Sequence, residues 1–174
     1  MPVTSATGWR TPCGRSWRGC KRRTVMVLSP DKMELLYSPD AAAFFAGRPW
    51  ALSLWEEAGA AILSLGDDIE IRYSKTQITF RTRNGFAFLS FPYRRKKGWP
   101  EECLILTFGL EHPVEHSRIA VKTEAAPNRW THHVLLSGPG QVDGIIMEWL
   151  REAYRFSHRG PSGRRSSPPQ PGKG

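Results

Sequence analysis

The chain has 174 residues, enough for one folded domain with flanking segments, and its hydrophobic fraction of 40% and charged fraction of 24% are ordinary for a globular protein. No stretch approaches the roughly 20 apolar residues of a membrane-spanning helix, so we expect a soluble protein without a membrane partner. The formal net charge is +9, but residues 33–157 carry 14 basic and 15 acidic side chains. The basic excess therefore lies at the two ends and is weak evidence for a nucleic-acid partner.

The two ends of the chain differ in composition from its centre. Residues 1–32 are rich in Gly, Arg, Ser and Trp without helical or strand periodicity, and residues 158–174 are rich in Pro, Gly and Ser. Such segments bury too little apolar surface to fold, so we predict two disordered basic ends around a single globular domain at residues 33–157.

The abrupt change of composition before Met33 raises a hypothesis about the start of translation. Met26 or Met33, rather than Met1, would then be the first residue, and the preceding segment would not be native. The intact mass of the natively expressed protein tests this hypothesis, because a mass that includes residues 1–25 contradicts it.

Cysteine usage indicates the compartment. Cys13, Cys20 and Cys103 do not make a disulfide framework, and Cys103 lies in an apolar strand pattern where a thiol is inert. We therefore expect a reduced, cytoplasmic environment.

Two long helices are predicted from apolar residues that repeat at intervals of three and four, at about residues 49–65 and 141–157. A shorter helix begins at Ser38-Pro39-Asp40, where Ser is the N-cap and Pro takes the first helical position. Gly47 ends this short helix, and Gly66 closes the first long helix as its C′ residue.

Strands are predicted between the long helices, at about residues 69–73, 77–83, 86–92, 103–109, 118–123 and 129–136. Asn84-Gly85 predicts a type I′ hairpin turn, in which both residues have positive φ. The first two strands alternate between apolar and polar residues, whereas the third and fourth are apolar on both faces, which indicates central positions. The fold class is therefore α+β: a mainly antiparallel sheet of five to six strands, with the two long helices packed on one face.

Four separated runs resemble a known family in their order and spacing: FFAGRP (44–49), SKTQITFRTRNGFAFLSFP (74–92), NRWTHHV (128–134) and EWLREAY (148–154). They are similar to the small bacterial family of domains of unknown function DUF5655, over about residues 40–157. The resemblance implies a compact soluble domain for which no activity is established. Some members carry an N-terminal Cys-x-x-Cys zinc knuckle, but Cys13 and Cys20 have six residues between them and no neighbouring His. We therefore expect neither a metal site nor a cofactor.

A basic stretch is the first candidate for function. Eight basic residues and no acidic one lie between Ile71 and Pro100, and Tyr93 and Trp99 offer aromatic rings beside them. Arg72, Arg81 and Arg83 share a strand parity and can form a cluster on the solvent-facing side of the sheet. Such a cluster neutralises phosphates, so we predict an anion- or nucleic-acid-binding sheet face. The alternative is an ordinary solvated face, with cross-strand pairs to Glu70, Glu101, Glu102 and Glu124. The predicted ligand-binding residues are Arg72, Lys75, Gln77, Arg81, Arg83, Arg129, Trp130 and His132.

Histidines are the second candidate. Neighbouring residues on a strand point to opposite faces, so His132 and His133 cannot both bind one metal ion. Either could act as an acid or base beside Lys75, provided that a pocket brings them within hydrogen-bonding reach; the alternative is one packed and one exposed histidine. His112 and His116 have a helical ligand spacing, but Pro113 argues against a helix there.

These patterns favour a non-enzymatic binding or interaction module for an anionic ligand or nucleic acid. A small enzyme or ligand-handling domain that uses Lys75 with His132 or His133 in a cleft is the alternative. An open positive face supports the module, and a concave pocket with converging side chains supports the enzyme.

Overall fold

The fold is of the α+β class, as predicted, in a computed structural model that describes residues 28–159. Within these residues, four helices and six strands follow one another. They are α1 (Pro30–Leu36), α2 (Pro39–Phe44), α3 (Trp50–Leu63), β1 (Glu70–Tyr73), β2 (Gln77–Arg81), β3 (Gly85–Ser90), β4 (Leu104–Leu110), β5 (Ile119–Ala126), β6 (Arg129–Leu136) and α4 (Gly144–His158). None of the helices in this part of the chain is long and apolar enough to cross a membrane.

The six strands form one antiparallel sheet in the order β1-β2-β3-β4-β6-β5. β3 and β4 lie in the middle of the sheet, which confirms the prediction from their apolar residues on both faces. The β5–β6 hairpin places β6 beside β4 and leaves β5 at the edge. Every connection in the sheet therefore joins antiparallel neighbours, apart from the link between β4 and β5.

Both long helices pack on the same face of the sheet, which we call the covered face. The ring of Trp55 on α3 lies 5.9 Å from that of Phe80, and the ring of Trp149 on α4 lies 5.8 Å from that of Phe108. Phe80 and Phe108 are both paired with Ala87 and so point to one side of the sheet. The predicted packing of the two long helices on one face is confirmed.

Helix α1 begins at Pro30, inside the segment 1–32 that was predicted to be disordered. Its Leu36 is only 2% exposed and lies against Gly59 of α3. Lys32 donates a hydrogen bond of 2.9 Å to the Leu63 carbonyl at the end of α3. A usable signal was present, because Ser29-Pro30-Asp31 repeats the helix start Ser38-Pro39-Asp40. At the other end, α4 extends to His158, the first residue of the tail 158–174 that was predicted to be disordered. The rest of this prediction concerns residues 1–27 and 160–174, which lie outside the described residues.

The type I′ turn predicted at Asn84-Gly85 is wrong, because neither residue has a positive φ. Arg81 pairs with Gly85, so the hairpin has a three-residue loop instead. The end of α4 holds this loop: Thr82 Oγ1 lies 2.7 Å from Ser157 Oγ, and the Asn84 side-chain amide donates to the Ser157 carbonyl at 3.1 Å. A tertiary contact therefore decided the turn, over the local preference of Asn-Gly.

Two glycines that were assigned to helix ends have different roles. Gly47 has a φ of 76° and follows α2, as predicted. Gly66 does not have a positive φ, so its prediction as a C′ residue is wrong. A Cβ atom at Gly66 would overlap with the hydroxyl of Tyr154, which donates a 2.6 Å hydrogen bond to Asp68. Gly66 is therefore required for the close approach of α4 to this segment.

Candidate ligand-binding face

The second face of the sheet is not covered by any helix within residues 28–159, and we call it the open face. Its apolar side chains are partly exposed and lie outside the main hydrophobic core. They are Phe88, Ile105, Val121 and Leu135. Because they alternate along the strands with the buried residues of the covered face, strand parity alone places them on the open side.

One row of paired residues crosses the open face from edge to edge, and we call it the central row. It consists of Arg72, Thr79, Phe88, Thr107, His133 and Val121. Five strand spacings give it a length of about 24 Å. Thr107 Oγ1 lies 2.8 Å from His133 Nδ1. The row thus offers hydroxyl, imidazole and aromatic groups, with a guanidinium at one end.

The connection between β3 and β4 carries the densest positive charge of the described chain, at residues 92–100, which we call the basic loop. Arg94, Arg95, Lys96 and Lys97 are all exposed. Arg95 lies 3.7 Å from Glu101. In the part of the chain that the structure describes, the other three cations have no carboxylate within 4.0 Å. Their charge is therefore available to a ligand.

The basic loop lies beside the central row. It leaves β3 after Ser90, which pairs with Ile105, so its ends lie two residues along the strands from the Phe88–Thr107 pair of the central row. Burial lowers the pKa of His133, and the nearby ammonium of Lys96 lowers it further. His133 therefore faces the loop as a neutral hydrogen-bonding group at neutral pH.

The hairpin arginines, predicted as the centre of the site, are partly neutralised. Arg72 Nη2 and Arg81 Nε lie 3.7 Å and 3.9 Å from the same Glu70 oxygen. These distances are those of ion pairs rather than hydrogen bonds. Arg81 Nη2 donates to the Arg83 carbonyl at 3.2 Å, and Arg83 itself lies in the loop after β2. The alternative prediction, a solvated face with cross-strand ion pairs, therefore describes Glu70 and Arg81 on β1 and β2.

The remaining predicted ligand-binding residues are divided between different surfaces. Gln77 is on the open face, where its amide donates to Thr79 at 3.1 Å. Lys75 is exposed in the turn between β1 and β2. Trp130 pairs with Leu110 and therefore points to the covered face. The guanidinium of Arg129 lies 5.9 Å from the ring of Phe156 on α4, so it is turned towards the helices.

His132 is a core residue, with 0% of its surface exposed. Its ring stacks on Phe108 at 5.5 Å, and its Nε2 accepts a 3.0 Å hydrogen bond from the Val114 N–H. Nδ1 therefore carries the proton, and it has no hydrogen-bond partner within residues 28–159. Burial lowers the pKa of His132, with a further contribution from the cationic groups around it. The neutral ring fastens the connection between β4 and β5 to the sheet, a role that the sequence did not reveal.

The three catalytic candidates do not converge. Lys75 adjoins β2, which is separated from β6 by three strand spacings, or about 14 Å, and His132 and His133 point to opposite faces of β6. A surface hollow of about 740 Å³ is lined by residues of α1 and the α1–α2 turn, and none of the three candidates lines it. The geometric condition for the enzyme alternative is therefore not met among the described residues.

His112 and His116 lie in an irregular connection and make separate local contacts. His112 Nε2 is 2.8 Å from Glu152 Oε1, and contacts with the Pro113 carbonyl and with Glu152 raise its pKa. His116 Nδ1 accepts from the Arg118 N–H at 3.1 Å. Between residues 28 and 159, no group of three or more His, Cys, Asp or Glu residues is arranged to hold a metal ion.

Comparison with protein-family models matches residues 41–157 to a domain of unknown function, DUF5655. This match confirms the resemblance found in the four sequence runs. No curated protein and no solved structure matches the chain. The matched range extends from α2 to α4 and so includes the whole sheet.

Proposed function

We propose that this chain, which belongs to the DUF5655 family, is a non-enzymatic module that binds a polyanion along the open face of its sheet. The observation that carries this proposal is the position of the basic loop. Exposed cations that have no carboxylate partner within residues 28–159 border a sheet face that no described helix covers. Such an arrangement attracts anions, and each contact with an anionic group releases counterions from the ligand.

The main contact with the anionic ligand is then made by the basic loop rather than by the arginines of β1 and the β2–β3 hairpin. Arg72 and Arg81 share Glu70, so binding an anion there would first require this carboxylate to be displaced. Arg94, Lys96 and Lys97 require no such step. Arg72 instead contributes at the far end of the central row, where a long ligand would reach it.

The cytoplasm is the compartment that fits this proposal. Cys103 is buried and unpaired, and its thiol donates a weak hydrogen bond to the Pro100 carbonyl at 3.6 Å. Burial raises the pKa of this thiol, so it stays protonated and unreactive at neutral pH.

Charge reversal in the full-length chain tests the proposal. Fluorescence anisotropy of labelled heparin measures binding by the wild type, by the loop variant Arg94→Glu/Lys97→Glu, and by the control Arg151→Glu/Arg155→Glu. Both control residues are exposed on α4, on the helical side of the molecule. The two variants change net charge equally and keep the same basic ends.

We expect the loop variant to weaken heparin binding at least about tenfold and to lower the slope of log affinity against log salt by about two. The control should stay within about twofold of the wild type, because its charges lie away from the open face. Equal losses in both variants would show that binding follows net charge alone, and the proposal would then be wrong.

A further inference from the structure

The basic loop carries aromatic rings next to its cations. Tyr93 is 93% exposed, an unusual position for a large aromatic side chain, and the guanidinium of Arg94 lies 5.9 Å from its ring. The ammonium of Lys96 lies 5.8 Å from the ring of the half-buried Trp99. Solubility and simple charge attraction do not require these rings. Together the rings and cations offer stacking surfaces and phosphate contacts within one short segment.

The central row of the open face continues this chemistry. The half-buried Phe88 lies between Thr79 and Thr107 on the neighbouring strands. An aromatic ring of this kind can stack on a base, while the flanking hydroxyl groups can both donate and accept hydrogen bonds. A phospholipid headgroup has no flat π-face to stack on such a ring, and a sulfated sugar has only its C–H groups to pack against it, whereas every nucleic-acid base has a π-face.

We propose that the polyanion is a single-stranded nucleic acid, with its bases stacked on Tyr93 and Phe88 and its phosphates paired with Arg94, Lys96 and Lys97. This inference rests on the proposed function, because it names the ligand of the same face. Bases in a duplex have their flat surfaces covered by their neighbours, whereas an unpaired strand can present them to aromatic side chains. The length of the central row, about 24 Å, is sufficient for several nucleotides of an extended strand.

The test measures binding of the full-length protein to four labelled probes at low and at moderate salt concentration. They are an oligodeoxyuridylate and an oligouridylate of about 16 nucleotides, a hairpin duplex with the same total number of nucleotides and therefore the same charge, and heparin. The variants are Tyr93→Ala and Tyr93→Phe. Tyr93 is almost fully exposed, so neither substitution should affect folding, and circular dichroism verifies this.

We expect Tyr93→Ala to weaken binding of the single strands about tenfold, with little effect on heparin, because heparin has no bases to stack. Tyr93→Phe should retain wild-type affinity for the single strands, since it keeps the ring. Duplex should bind more weakly than single strands of the same charge. A preference for the oligouridylate over the oligodeoxyuridylate, which differ only in the 2′-hydroxyl, would identify RNA as the favoured source, and the reverse would identify DNA.

Two results would overturn the inference in different ways. If heparin binds and responds to the loop charges, but Tyr93→Ala leaves single-strand affinity within about twofold of the wild type, the ligand is another polyanion and only the present inference fails. Tighter binding of duplex than of single strands has the same consequence. If neither heparin nor any oligonucleotide binds at low salt, the proposed function fails with it.

Discussion

Two adjacent rows of the same six strands behave differently because they point to opposite faces. The covered row consists of Ile71, Phe80, Ala87, Phe108, His132 and Lys122, and the central row of the open face lies one residue along each strand. Phe80, Phe108 and His132 are fully buried, whereas the central row stays partly or fully exposed. The backbone and its hydrogen bonds are shared, so only the environment of the side chains differs.

This difference separates stability from function within one sheet. Phe80, Phe108 and His132 of the covered row are fully buried, so changing them removes packing that nothing else replaces. Side chains of the central row meet solvent, so a ligand can reach them and their loss leaves no cavity. We therefore expect substitutions on the covered face to affect unfolding and substitutions on the open face to affect binding.

The largest effect on stability is expected when two phenylalanines on opposite faces of the sheet, Phe80 and Phe88, are compared. Phe80→Ala should lower the free energy of unfolding by about 3–5 kcal/mol, because it leaves a cavity beneath Trp55. Phe88→Ala, on the next strand but the open face, should cost about 1 kcal/mol, since the ring is only half-buried. Urea denaturation of both variants measures these values. Equal losses would mean that the open face is covered after all.

The two successive histidines of β6, His132 and His133, should lower the free energy of unfolding in acid. The pKa values of His132 and His133 are below the usual 6.5, so the unfolded chain binds more protons than the folded one once the pH falls below about that value. Stability should therefore fall between about pH 6.5 and the lower folded pKa values, by at most about 1.4 kcal/mol per pH unit for each histidine. His112 opposes this loss, because its pKa is raised.

Urea denaturation between about pH 7.5 and about pH 5.5 tests the assignment. His132→Gln keeps a hydrogen-bond acceptor for Val114 but does not titrate, so its stability should vary less with pH than that of the wild type. In His112→Gln, the free energy of unfolding should fall more steeply with decreasing pH than in the wild type. Lys122 and Glu152, the other charged groups that face His132, remain in both variants. An unchanged slope in His132→Gln would show that another group is responsible.

A smaller difference is expected between the coupling free energies of two hydroxyl contacts, one on each side of the sheet. Ser157 Oγ donates to the Tyr154 carbonyl at 2.6 Å, so the Thr82 hydroxyl must donate to Ser157. A double-mutant cycle with Thr82→Val and Ser157→Ala should give a coupling of about 1 kcal/mol, because both groups are buried. The Thr107–His133 contact on the open face should give only a few tenths, about 0.3 kcal/mol, since water can replace either partner. The reverse order would contradict the assignment of the two faces.

The smallest effect on stability is expected at Glu70, an exposed residue of the open face that forms long ion pairs with Arg72 and the partly buried Arg81. Glu70→Gln should change the free energy of unfolding by less than about 0.5 kcal/mol. The same substitution should strengthen heparin binding about two- to threefold, because it releases Arg72 and Arg81 from their shared carboxylate. Weaker binding by this variant would indicate that Glu70 holds the arginines in a productive position.

Local patterns of the sequence were sufficient to predict the strands, the helices α2, α3 and α4, and the fold class, whereas α1 was missed. Alternation in β1 and β2, apolar residues on both faces of β3 and β4, and the helical repeat through Trp55 and Trp149 are all properties of single segments. The helix start at Ser38-Pro39-Asp40 and the end at Gly47 also depend only on neighbouring residues. These predictions are correct because the tertiary contacts favour the same local conformations as the neighbouring residues do.

The tertiary structure decided everything that depends on residues far apart in the sequence. The hairpin loop at Asn84 follows its contacts with Ser157, and Gly66 is needed because Tyr154 approaches it from α4. Likewise, Glu70 on β1 lies beside Arg81 only because β1 pairs with β2. Within residues 28–159, Arg94, Lys96 and Lys97 of the basic loop have no carboxylate within 4.0 Å. Strand parity tells which residues share a face, but only the packing of the helices determines which face remains open to a ligand.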